Sequence, residues 1–280
     1  MRAETVVLTG LALVAFASNS LLTRLALAAR LVDAASFTSV RLVSGAFVLV
    51  LLVRFRAKDG AKARRGDWRA AAALFLYAAP FSFAYLRIGA AVGALVLFGV
   101  VQLTMIGWSL LIGERLSVRT GLALLMAMGG LLLLLLPSAA KPDGVGMGLM
   151  ALAGVAWGVY SLRGKGSQDP LAETAVNFLF ASPLALLLSL ITLHSASWSW
   201  RGIGLAAASG ALASGLGYAI WYRALRSLTG AQAAIVQLSV PVIAALGAVV
   251  FLEEALSLRL IVGGATVLAG TALALFNRRR

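Results

Sequence analysis

Leu11-Ala12-Leu13-Val14-Ala15-Phe16-Ala17-Ser18-Asn19-Ser20-Leu21 returns 141 residues later as Leu152-Ala153-Gly154-Val155-Ala156-Trp157-Gly158-Val159-Tyr160-Ser161-Leu162. Six of the eleven positions are identical, Phe16 becomes Trp157, and a cation follows each stretch at the same spacing, Arg24 and Lys165. One such match in Ala/Leu-rich sequence carries little weight. A second supports it: Ile112-Gly113-Glu114-Arg115-Leu116-Ser117-Val118-Arg119 returns 140 residues later as Leu252-Glu253-Glu254-Ala255-Leu256-Ser257-Leu258-Arg259. Glu, Leu, Ser and Arg together after a long apolar run mark a duplication. In a chain this apolar, internal duplication is how transporters assemble two halves around a central site.

The 280 residues are 61% hydrophobic and only 12% charged, against about 25% charged and 45–50% apolar in soluble domains. That composition excludes an ordinary cytosolic protein. Ten apolar runs are long enough to be read as membrane spans, at 5–27, 34–53, 68–86, 90–112, 118–136, 144–163, 171–193, 202–222, 230–252 and 257–276. Only Arg2 precedes the first run, which is also too long for a signal peptide, so it counts as a helix. The chain has no Cys, which excludes disulfides and thiolate chemistry.

A net charge of +14 invites a nucleic-acid reading, but its distribution points to a membrane. With the N-terminus in the cytoplasm, ten spans place 17 of the 24 basic residues inside, six outside and Arg41 within a span. That excess follows the positive-inside rule and puts both termini in the cytoplasm. The 54–69 run and Arg278 to Arg280 suit anionic headgroups.

Each half has five spans, so the second must cross the membrane in the opposite sense. The expected fold is an all-α polytopic membrane protein, ten transmembrane helices forming two inverted five-helix repeats around a central cavity, with residues 1–137 as the first repeat and 138–280 as the second. Gly129, Gly130, Gly263, Gly264 and Gly270 mark close helix contact in spans 5 and 10, which are otherwise too apolar to recognise a polar solute. The solute path is expected among the other eight.

All ten acids fall at span ends or in loops, which argues against coupling through a buried carboxylate. Arg41 is the cation well inside a span, readable as an interhelical hub or as a carboxylate anchor. Mid-span polar and ring residues supply the remaining cavity candidates: Phe16, Asn19, Tyr77, Phe81, Gln102, Trp157, Tyr160, Tyr218, Trp221 and Gln237. Rings give contact area and amides fix orientation, a lining suited to a flat, partly apolar solute. Arg24 and Lys165 end their spans on opposite faces and are candidate gate residues. Trp68, Trp198 and Trp200 suit the interfacial belt.

Enzyme chemistry finds no support. His194 is the sole histidine, with no acid nearby, and no nucleophile elbow, metal spacing or phosphate loop is present. Neither a metal nor a cofactor is expected.

The chain resembles the EamA-type branch of the drug/metabolite transporter superfamily over its whole length. The likeness rests on Phe16-Ala17-Ser18-Asn19 and Trp157-Gly158-Val159-Tyr160 opening the halves, the cation that follows each, Arg41, Pro241, and Glu254-x-Leu256-Ser257 before a Gly-containing last span. Within that branch it looks most like bacterial aromatic amino acid exporters. The resemblance implies a ten-helix basket with spans 1–4 and 6–9 around a cavity. It also implies export of small amphipathic metabolites, aromatic or apolar amino acids first, from a bacterial inner membrane by alternating access. A broader drug or nucleobase exporter is the alternative; a channel or membrane scaffold is the reading from a different class. Expected partners are the small-molecule solute and membrane lipids, with no nucleic acid, for a monomeric chain.

Overall fold

The computed structural model describes residues 3–56, 67–88, 90–114, 117–135, 143–251 and 257–275. The junction at 137/138 and the Glu254-x-Leu256 part of the second duplicated stretch lie outside the described residues. Each predicted apolar run coincides with helix: α1 (Ala3–Ala28), α2 (Ala34–Arg56), α3 (Trp68–Ala84), α4 (Ala90–Leu111), α5 (Val118–Leu135), α6 (Gly144–Gly164) and α7 (Pro170–Ile191). Then come α8 (Trp200–Ala208), a wide turn over Ser209–Leu216, α9 (Gly217–Leu225), α10 (Gly230–Gln237), α11 (Ser239–Phe251) and α12 (Leu258–Leu275). The described residues form no sheet, only one antiparallel bridge between Val32 and Trp198.

Among the described residues, seven helices are long and apolar enough to cross a membrane: α1, α2, α6, α7, α12, the continuous Trp200–Leu225 and Gly230–Gly247. Val96–Leu111 and Val118–Leu134 are shorter apolar helices. The chain is a multi-pass membrane protein. The reason for an all-helical solution is that hydrocarbon offers no partner to backbone N–H and C=O, and a helix satisfies both internally.

Aspartates start many of these helices. Asp67, Asp143 and Asp169 cap α3, α6 and α7 by accepting from Arg69, Gly146 and Ala172 backbone N–H, and Asp33 accepts from Ser36 at the start of α2. Acids therefore gather at helix N-termini, where orphan donors and the helix dipole favour them.

Two predicted spans differ from simple helices. The ninth is broken at Leu238, between α10 and α11. Pro241 has no N–H to offer the Gln237 carbonyl four residues earlier, so the ladder stops there. The eighth contains the Ser209–Leu216 stretch, wound as a π-helix with i→i+5 bonding. Gly210 in this stretch lies against the Arg41 carbonyl so closely that a Cβ would collide with it.

Helices α2 and α7, α3 and α6, and α5 and α12 pack antiparallel, whereas α4 runs parallel to α6, with Gly154 facing Leu97 and Gly158 facing Thr104. Helix α3 meets α6 with ion pairs at both ends: Arg163 with Asp67, and Arg87 with Asp143 at 3.3 Å. Helix α2 meets α7 through Arg56 with Asp169 at one end and Ser39 with the Ala185 carbonyl, 2.7 Å, nearer the other. These pairs are exposed or half-exposed, so each contributes little stability.

Helices α5 and α12 pack together through glycine. A Cβ on Gly130 would stand 2.7 Å from the Gly263 carbonyl, and one on Gly270 would stand 2.7 Å from the Ala123 carbonyl. Gly129, expected in the same seam, faces open space, while Gly264 abuts Val242 instead. Gly263→Leu should therefore cost about 1–3 kcal/mol by overpacking and lower the thermal midpoint of the purified protein in detergent. Gly129→Leu should leave that midpoint unchanged.

Candidate functional site

Helical spacing brings rings from four helices to one point. Tyr77 and Phe81 stand one turn apart on α3, Trp157 projects from α6, Tyr218 from α9 and Phe16 from α1. Phe16 presents its ring edge-on to Trp157 at 5.2 Å, and to Tyr218 and Trp221 at 5.6 Å. Trp157 lies 5.0 Å from Tyr77 and 4.7 Å from Tyr218. Such edge-on and tilted pairs follow from the ring quadrupoles.

These rings enclose a cavity of about 20 Å³, room for about one water molecule. Of the sequence candidates, Phe16, Asn19, Tyr77, Phe81, Trp157 and Tyr218 line it, joined by Ser20, Leu97, Phe98 and Val240. The apolar members Leu97, Phe98 and Val240 carried no signal in a sequence full of such residues; Ser20, beside Asn19, carried a weak one.

The other candidates form a layer behind the rings. Gln237 accepts from the Trp157 indole N–H at 2.5 Å and donates to the Ala233 carbonyl at 3.0 Å, so it fixes the indole plane. Gln102 donates to the Ala234 carbonyl at 2.6 Å, near the break in the ninth span. Tyr160 offers its carbonyl to the Tyr222 hydroxyl at 3.0 Å, and Trp221 is fully buried against Phe16 and near Ser161. Asn19 accepts from Ser209 at 2.5 Å.

Arg41 stands behind Tyr77, Phe81 and Tyr218, with 1% of its surface exposed. Its Nε donates to Ser214 at 2.9 Å, and its Nη2 donates to Tyr218 at 2.6 Å and Tyr77 at 3.3 Å. The guanidinium also lies over the Tyr77 and Phe81 rings, 5.2 and 5.7 Å from their centroids. The π-helical stretch serves this arrangement directly, because Ser209, Gly210 and Ser214 all belong to it.

The two candidate gates sit on opposite faces. Lys165 pairs with Glu114 at 3.2 Å, joining the end of α6 to the turn after α4. On that same face Arg223 pairs with Glu4 at 2.7 Å, beside the Arg163–Asp67 and Arg56–Asp169 pairs. Arg24 lies near the far end of α1 and is exposed. Burial works to raise the Asp67 carboxyl, but the hydrogen bond and charge of Arg163 outweigh it and hold the group below its usual 3.8. The stabilisation from a lowered carboxylate is present above the unfolded value and lost as pH falls through the folded one.

A larger recess of about 670 Å³ opens on the same face, lined by residues that include Leu8, Leu52, Arg56, Asp169, Ile220 and Arg223. Leu216, Ala219, Ile220 and Arg223 share one side of the eighth span, while Tyr218 and Trp221 pack among the rings. The recess and the chamber therefore lie on different sides of that span.

A multi-pass helical membrane protein with a closed, ring-lined chamber at its centre is the class these features define. Residues 144–276, the second half of the chain, match the EamA-like transporter family. An uncharacterized protein of Pseudomonas aeruginosa is 52% identical over 98% of this chain and 96% of its own length. An uncharacterized transporter of Archaeoglobus fulgidus is 29% identical over 86% of this chain and 87% of its own. A crystal structure with 22% identity superposes over 100% of both chains at a TM-score of 0.81, a likeness of fold.

Ser214→Ala should leave the buried Arg41 Nε without its acceptor and cost about 1–3 kcal/mol, read as a lower thermal midpoint. Thr266→Ala, which removes only an exposed bond within α12, should not change it.

Proposed function

We propose that this chain is a bacterial inner-membrane exporter of small amphipathic metabolites, aromatic and other apolar amino acids first, working by alternating access. In this reading all ten helical segments span the membrane as two inverted five-helix repeats, 1–137 and 138–280, and both termini are cytoplasmic. The face bearing Lys165 and Arg223 is then the cytoplasmic one.

The observation that carries the proposal is the contact between Phe16 and Trp157. These are equivalent positions of the duplicated stretch, and their rings meet at the centre of the bundle. A pseudo-two-fold axis through a shared site would bring equivalent residues together in this way. Pairing of α2 with α7 and of α5 with α12, equivalent spans in the two halves, favours the same symmetry.

The chamber chemistry favours the solute class. Six rings and the Asn19 amide surround a space with no acid among its lining residues, which suits a flat body with a few polar atoms. Phe16, Asn19, Tyr77, Phe81, Trp157 and Tyr218 contact that solute. Tyr160, Trp221 and Gln237 hold the contacting rings, Gln102 holds the Ala234 carbonyl near the break in the ninth span, and Arg24 and Lys165 belong to the two gates. No described acid lies mid-span, which argues against coupling through a buried carboxylate.

Proteoliposomes test this with labelled Phe, Trp and Thr. Saturable uptake of Phe and Trp, unchanged by an imposed pH gradient, is the expected result. Trp157→Ala should reduce flux about ten-fold or more, the scale of one lost anchoring ring, without impairing membrane insertion. Folded protein that moves none of the three would favour the drug or nucleobase alternative.

A further inference from the structure

We infer that Arg41 is an anion subsite of the chamber, and that the solute carries a single carboxylate beside its apolar body. The inference rests on the transport reading above and adds to it the charge that the solute must bear.

Charge accounting comes first. Arg41 is buried within α2, yet its hydrogen-bond partners are the neutral hydroxyls of Ser214, Tyr77 and Tyr218. Among the described residues none of its contacts is a carboxylate: Glu4, Asp33, Asp67, Glu114, Asp143, Asp169 and Glu173 all stand at helix starts or in a turn. Its Nη1 has no acceptor at all. A purely structural hub needs no net charge, since neutral donors tie helices together at far lower desolvation cost. What remains unexplained by a hub is one positive charge and one open donor nitrogen.

Position comes second. Tyr77, Phe81 and Tyr218 touch Arg41 and also line the chamber. The guanidinium is thus one side chain away from the cavity. The cavity as it stands holds about one water, so any solute must displace rings to enter. Turning Tyr77 or Tyr218 aside uncovers the Nη1–Nη2 edge, which presents parallel N–H donors to two carboxylate oxygens. Each tyrosine hydroxyl now accepts from Arg41 and keeps a proton of its own to donate to an arriving anion.

The class of anion follows from the count. A phosphate ester would bring close to two negative charges against one arginine, with no other cation among the chamber residues. A monocarboxylate balances the site. With rings on its remaining walls, the chamber fits an aryl or branched alkyl carboxylate, zwitterionic amino acids included.

Competition against labelled Phe on the purified full chain tests this, using 3-phenylpropionate, which keeps the carboxylate, and 2-phenylethylamine, which lacks it. The expected result is competition by phenylpropionate and about ten-fold or weaker competition by phenylethylamine, the scale of one lost charge-assisted contact. Arg41→Gln should weaken Phe binding by a similar factor and leave phenylethylamine unaffected, with partial recovery in Arg41→Lys. A structural role alone would weaken every ligand equally. If phenylethylamine competes as well as phenylpropionate against wild type, the carboxylate subsite is overturned while the ring-lined transporter stands. If folded protein binds neither Phe nor any competitor, the subsite and the proposed solute class fall together.

Discussion

An apolar helix surrounded by lipid gains nothing by hiding its side chains against another apolar helix, and this constraint organises the whole bundle. Association must come from close backbone approach or from polar contacts that have no alternative partner in hydrocarbon. The α5–α12 seam uses the first route, with Gly130, Gly263 and Gly270 set against facing backbone. The centre uses the second. Thr38 donates to Ser82 at 2.9 Å to join α2 with α3, and Ser239 and Thr271 lie 3.0 Å apart across α11 and α12. Ser209 with Asn19 and Gln102 with Ala234 add two more crossings. The α5–α12 seam is held by backbone contact; the centre is held by polar contacts.

The chamber follows from that division. Rings from α1, α3, α6 and α9 fill the centre by packing against one another, leaving a space of about 20 Å³. Behind the rings, the Gln237 amide accepts from the Trp157 indole and fixes its orientation. Ion pairs join helices on one face, and on the other the Val32–Trp198 bridge is flanked by Ser197 N–H donating to the Asp33 carboxylate and Asp33 N–H donating to the Ser197 carbonyl.

Most of the helical layout was legible from sequence because hydrocarbon admits so few alternatives: a run of apolar residues becomes a helix, and its length is fixed by the bilayer. Mid-span rings were legible as well, since Phe16, Tyr77, Phe81, Trp157 and Tyr218 stand out against Leu and Ala. Sequence could not separate lining from second layer. Trp221 and Trp157 are both tryptophans within spans, and only the rotation of each helix decides which faces the cavity. The π-helical stretch was equally hidden, because Ser209 to Leu216 reads as ordinary small-residue helix. The break in the ninth span at Leu238 went unread as well, because its place depends on which carbonyl Pro241 leaves without a donor.

The capping aspartates share one further trait. In Asp67, Asp143 and Asp169, Oδ1 accepts from the backbone of the aspartate's own helix while Oδ2 meets an arginine on a neighbouring helix. Asp33 divides its oxygens likewise, between the Ser36 N–H of α2 and the Ser197 N–H of the α7–α8 turn. One side chain thus fixes both where a helix begins and what stands next to it. Asparagine would keep the first bond but turn an NH₂ group toward the arginine or N–H that the second oxygen had accepted from. Glutamate would keep the charge but carry it a methylene too far to close the cap. Chain start and helix neighbour are therefore inherited together at these four positions, and a single substitution cannot revise one without disturbing the other.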